Sequence, residues 1–120
     1  MLCPFPPEVS VMMVDQSEGP ITVVATLHPK PGYSGEVREA LLAVAPRVHH
    51  EHGCELYAVH EAADRFVVVE KWATRGDLAA HTEADNMATL NASLEARLSK
   101  EPDVQVLDPV PAGDERLGAI

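Results

Sequence analysis

The chain has 120 residues, 46% of them apolar and 23% charged, which suffices for one hydrophobic core and falls short of two ordinary domains. Nineteen acidic side chains against nine basic ones leave a formal charge of −10. Nucleic acid and anionic membrane surfaces both require a basic footprint, so neither is an expected partner, and five aromatic residues leave little for a base-stacking platform.

Cys3 and Cys54 cannot make a disulfide framework and read as free thiols of a reducing compartment. No apolar run approaches the roughly 18 residues of a membrane span. Residues 1–19 carry Pro4, Pro6 and Pro7, a short apolar patch and a turn-like stretch ahead of Pro20, with no basic leader. They are expected to be an extension before the domain, and the cytoplasm is the expected compartment.

Regular structure is predicted from Ile21. Residues 21–27 are short and rich in β-branched side chains, and Pro29, Pro31 and Gly32 close the strand. Val37, Ala40, Leu41, Val44 and Val48 then recur at helical spacing, with Ser34 as the expected cap and Gly53 as the stop. Pro46 inside this helix removes a backbone bond, which predicts a kink or an early break near Ala43. Residues 54–61 and 65–72 read as two strands joined by a hairpin at Ala62, Ala63 and Asp64. Phe66, Val67, Val68 and Val69 are apolar at successive positions, so both faces of that strand are expected to be covered, the second by another copy of the chain. Thr74 or Asp77 can cap a short helix ending at His81, and Ala84, Met87, Leu90, Leu94 and Leu98 trace a longer one that Pro102 stops. Val104, Val106 and Val110 suggest a last strand before a polar tail. The order β-α-β-β-α-α-β predicts a ferredoxin-like α+β domain over residues 20–109, with its second helix split, between an extension at 1–19 and a tail at 110–120.

Six histidines invite a metal reading, but His49, His50 and His52 beside Glu51 lack the spacing of a helical clamp. They are better placed as a solvated last helical turn that complements the helix dipole, and no metal is assigned. No nucleophile elbow and no glycine-rich phosphate loop is present, so nucleotide and flavin cofactors have no support. What remains is Glu70 and Trp72, sharing a strand face with Phe66 and Val68, and His81 on the helix that follows. A carboxylate on the buried side of an apolar strand needs a partner or a raised pKa, and His81 is the candidate. The plainer alternative is that Glu70 and His81 only staple a helix to the sheet.

The runs Ile21 to Ala25, Glu51-His52-Gly53-Cys54-Glu55-Leu56-Tyr57, Phe66-Val67-Val68-Val69-Glu70-Lys71-Trp72 and Leu78-Ala79-Ala80-His81 resemble the antibiotic biosynthesis monooxygenase family of dimeric α+β barrels. The Glu-x-Trp followed by Leu-x-x-His is the most telling pattern, and the likeness spans about residues 20–109. It implies a homodimer whose two four-stranded antiparallel sheets close as a barrel, with a pocket in each subunit between sheet and helices. It further implies oxidation of a small aromatic, hydroquinone or polyphenol substrate by molecular oxygen with no cofactor. An electron-rich phenolate can itself reduce oxygen, so the protein need only bind, desolvate and deprotonate it. On this resemblance Trp72 walls the pocket, His81 bonds or deprotonates the substrate and Glu70 orients His81. Tyr57, Phe66, Val68, Asn86 and Met87 are the expected lining.

The chain departs from members that oxidise polyketide phenols in having Val68 where they carry an asparagine. It departs from haem-degrading relatives at Ala25 and His81, and from quinol-oxidising ones in having Asn86 before Met87 where a histidine is common. The quinol-monooxygenase-like branch is nearest. Two other functions suit the same scaffold: a small-carbonyl isomerase, and a dimeric ligand-binding or stress-related protein without catalysis.

Overall fold

The computed structural model describes residues 19–120; Cys3, Phe5 and all but the last residue of the expected extension lie outside them. Four strands, β1 (Ile21–Leu27), β2 (Cys54–Glu61), β3 (Phe66–Trp72) and β4 (Asp103–Leu107), alternate with three helices, α1 (Ser34–Val48), α2 (Arg75–Thr82) and α3 (Asp85–Leu94). The sheet runs β2-β3-β1-β4 and every neighbouring pair is antiparallel. This is the predicted α+β ferredoxin-like arrangement with its second helix split.

Alternation along β1 and β3 sends Ile21, Val23, Ala25 and Leu27, and Phe66, Val68, Glu70 and Trp72, toward the helices, where all eight are buried. Val37, Leu41, Val44 and Val48 of α1, Leu78 of α2, and Met87, Leu90 and Leu94 of α3 close over them as one core. The other face of the sheet is open within the chain. Val24, Val67 and Val69 there are only partly buried, so a single chain covers β3 on one side alone.

Several local expectations are corrected. Helix α1 runs unbroken past Ala43 to Val48, with Pro46 in its last turn. Only the Leu42 carbonyl loses its helical partner there, and Leu42 is exposed to water. Continuing the helix buries Val44 and Val48 against the sheet, at about 1.5–3 kcal/mol each, which offsets the roughly 3 kcal/mol that an interior proline costs. Tyr33, not Ser34, occupies the cap position, without a side-chain bond. Of the two candidate caps of α2, Thr74 takes the role, its hydroxyl accepting the Asp77 N–H at 3.0 Å. Helix α3 stops at Leu94, well short of Pro102. The chain leaves it to pair with the segment after β1: Lys30 N–H donates to Arg97 O at 2.9 Å and Ser99 N–H to His28 O at 2.8 Å, and Leu98 reaches the core from this bridge. Val110 lies outside β4 and is exposed, and β3 begins at Phe66 instead of Arg65.

Candidate active site

Strand β2 carries the irregularity that shapes the site. Cys54 pairs with Trp72, but Leu56 pairs with Lys71, so Glu55 is an extra residue in the ladder. The bulge reverses the alternation after it. Tyr57 thereby comes opposite Glu70 on the helix side and is buried, where an unbulged strand would turn Leu56 inward.

On β3, Glu70 is 5% exposed and accepts the Trp72 indole N–H at 3.0 Å. Burial raises its carboxyl to about 7; the Trp72 bond opposes that shift and the nearby Glu51 carboxylate adds to it. His81 is 1% exposed because Leu78 and His81, one turn apart on α2, both face the sheet. Its ring lies against Trp72 at a centroid distance of 4.4 Å and 31°, and meets Tyr57 edge-on at 6.0 Å. Trp72 thus holds both groups, Glu70 through its N–H and His81 through its face.

Beyond α1, the turn at 49–53 brings in Glu51. Gly53 makes that turn at φ +81°, and a Cβ there would run into the Asp77 side chain. Glu51 accepts from His81 Nδ1 at 2.8 Å through one oxygen and from Asn86 Nδ2 at 2.8 Å through the other. A carboxylate on Nδ1 assigns the proton to that nitrogen and leaves Nε2 as a lone pair, which lies 3.8 Å from Glu70 Oε1. Burial pushes the His81 pKa down while Glu51 pulls it up, burial being the larger effect. Burial likewise raises the Tyr57 phenol, with Glu70 and Glu51 adding to it.

These groups edge a partly open cavity of about 30 Å³ between the sheet and α3. Tyr57, Val68, Glu70 and His81 line it from one side, Met87, Leu90, Asn91 and Leu94 from α3, and Ala25 and Val104 from β1 and β4. The space suits water molecules, where a cavity that accepts benzene measures about 150 Å³. Leu90 also lines a groove of about 160 Å³ at the surface between α1 and α3, together with Val44, Arg47 and Asn86.

Of the residues predicted from sequence, Glu70, Trp72 and His81 are in mutual contact, and Tyr57, Val68 and Met87 line the cavity. Phe66 sits in the core at the far end of β3, and Asn86 faces Glu51 and the surface groove; neither lines the cavity. Glu51 and Asn91 were not anticipated. Sequence placed Glu51 in a solvated helical turn, but the helix ends before it and the turn carries it inward. Its position just ahead of Gly53 was the available signal. His49, His50 and His52 are exposed as expected, with His49 Nε2 2.9 Å from the Tyr57 carbonyl and His52 Nδ1 2.8 Å from Asp77.

The family model described as antibiotic biosynthesis monooxygenase matches residues 20–93, which takes in every one of these groups. No curated protein matches. Among solved structures, Rv0793 from Mycobacterium tuberculosis is 26% identical at a TM-score of 0.74, covering 80% of this chain and 100% of that one. A Caulobacter crescentus protein, itself provisionally named an antibiotic biosynthesis monooxygenase, is 28% identical at a TM-score of 0.72, covering 78% and 92%. PA3566 from Pseudomonas aeruginosa, at 24% identity and a TM-score of 0.69 over 74% and 92%, shares the fold. With the family match spanning more than half of its length and the same fold in these proteins, the chain belongs to the antibiotic biosynthesis monooxygenase family.

Proposed function

We propose that this protein is a monooxygenase that oxidises a small aromatic or hydroquinone substrate with molecular oxygen, without metal or flavin. The observation that carries this reading is a neutral imidazole, His81, held at Nδ1 by Glu51 with its Nε2 free beside Glu70, at the edge of a narrow and largely apolar cavity. In that setting Nε2 takes the proton from a substrate hydroxyl, and the adjacent carboxylates stabilise the imidazolium that forms. The resulting phenolate, shut off from water, is electron-rich enough to reduce oxygen. A hydroquinone and O₂ then yield a hydroxyquinone and water: one oxygen atom forms the new C–O bond, the other leaves as water, and all four electrons come from the ring.

A ring does not fit the cavity at rest. Met87 and Leu90 occupy the α3 side, so admission of substrate requires them to move, and Leu90 is the wall shared with the surface groove. That lack of room favours a second reading, a ligand-binding protein without turnover. Oxygen uptake by metal-free protein with a panel of hydroquinones separates the two. Uptake above the spontaneous rate, lowered at least tenfold in His81→Ala, supports the monooxygenase; no uptake, or an indifferent variant, leaves the binding protein. Retained turnover under anaerobic conditions would instead identify a small-carbonyl isomerase.

The functional unit in this reading is a homodimer. The half-open sheet face, with Val24 directly opposite Val69, presents an apolar strip that a second sheet of the same kind would cover.

A further inference from the structure

Among the described residues one buried polar side chain at the cavity has no role so far. Asn91 is 5% exposed, on the inner side of α3, and lines the same cavity as Glu70 and His81. Trp72 bonds Glu70, and His81 and Asn86 bond Glu51. The Asn91 carboxamide makes no side-chain hydrogen bond within the described chain, and since no fully buried side-chain nitrogen or oxygen among the described residues lacks a partner, its amide atoms still reach open space.

We propose that Asn91 is a substrate-binding residue, whose amide holds the second oxygen of a single-ring, two-oxygen substrate while His81 takes the proton from the first. The assignment rests on the monooxygenase reading of the site. It follows from the layering of the fold: His81 and Glu70 approach from α2 and β3, whereas Asn91 comes from α3, so a flat ring between the layers meets a polar group on each side. A carboxamide suits that place better than a charged group. It accepts from a hydroxyl through Oδ1 and donates to a carbonyl through Nδ2, so it serves the hydroquinone before oxidation and the quinone after it. The amide from α3 and the imidazole from α2 together favour rings that carry two oxygens over phenols with one.

Calorimetric titration of hydroquinone and of phenol into anaerobic protein tests this without requiring turnover. Asn91→Leu is expected to weaken hydroquinone binding about tenfold, leave phenol binding within twofold, and keep or raise the thermal midpoint, because an apolar side chain of similar volume replaces an unpartnered amide. Asn91→Ala repeats the comparison should the leucine variant fail to fold. Equal losses for both ligands, a lowered midpoint in both variants, or a wild type that binds no hydroquinone at millimolar concentration overturns the assignment. Oxygen uptake is read separately. A discriminating amide without uptake ends the monooxygenase reading alone, and uptake with an unchanged KM in Asn91→Leu ends this assignment alone.

Discussion

Glu70 concentrates the physics of the site in one residue. Its carboxyl is out of water and is raised to about 7, so the native state binds a proton that the unfolded chain has already lost. Between the ordinary 4.5 and about 7, stability therefore falls as pH rises; the cost is absent below this window and complete above it. Its full size is on the order of 3 kcal/mol. Glu70→Gln keeps an oxygen for the Trp72 N–H and removes the titration. Urea unfolding should show the variant about 1–3 kcal/mol more stable than wild type at pH 8 and no different near pH 4.5. His81 contributes the opposite slope, since its lowered pKa makes the folded state bind fewer protons below 6.5, but that effect is common to both proteins and largely cancels in the difference. A gap of equal size at both pH values would show that Glu70 is not the titrating group. In turnover, ionised Glu70 favours the His81 imidazolium, so a rate limited by proton transfer should rise through pH 7 in wild type and lose that limb in Glu70→Gln.

At the scale of elements, two backbone irregularities position the site. The Glu55 bulge turns Tyr57 inward, and the Gly53 turn delivers Glu51 to His81. Gly53→Ala forces a side chain into a left-handed conformation and against Asp77. We expect a loss of about 1–3 kcal/mol by chemical denaturation. Because the Glu51 turn is what moves, the His81 pKa followed by NMR titration should shift as well; a variant as stable as wild type would mean that the turn yields at no cost. Proline is the instructive counter-case. Pro46 looks disruptive when only its own helix is considered, yet α1 continues through it because two buried valines outweigh one missing hydrogen bond. Conversely, α3 stops where nothing local demands it, since the chain beyond Leu94 finds partners in residues 28–30.

For the molecule as a whole, the sheet divides labour between its faces. The helix-covered side holds the cavity, and the other carries Val24, Val67 and Val69 partly buried. If a second copy covers that face, Val69→Lys places a charge in the centre of the interface without touching the site. Sedimentation equilibrium should then move from the mass of two chains to that of one. A wild type that sediments as a single chain would remove the dimer from the proposal.

Sequence alone determined the order of elements, the faces of β1 and β3 and the approach of Glu70, Trp72 and His81, because strand and helix periods are local properties that side-chain polarity records directly. The family likeness was legible for the same reason, its motif lying on one strand and the helix after it. Tertiary structure decided what depends on distant partners. Glu51, Asn91 and the inward turn of Tyr57 belong to the site only because a loop, a helix and a bulged strand meet there, and no pattern within any one of those segments encodes the meeting.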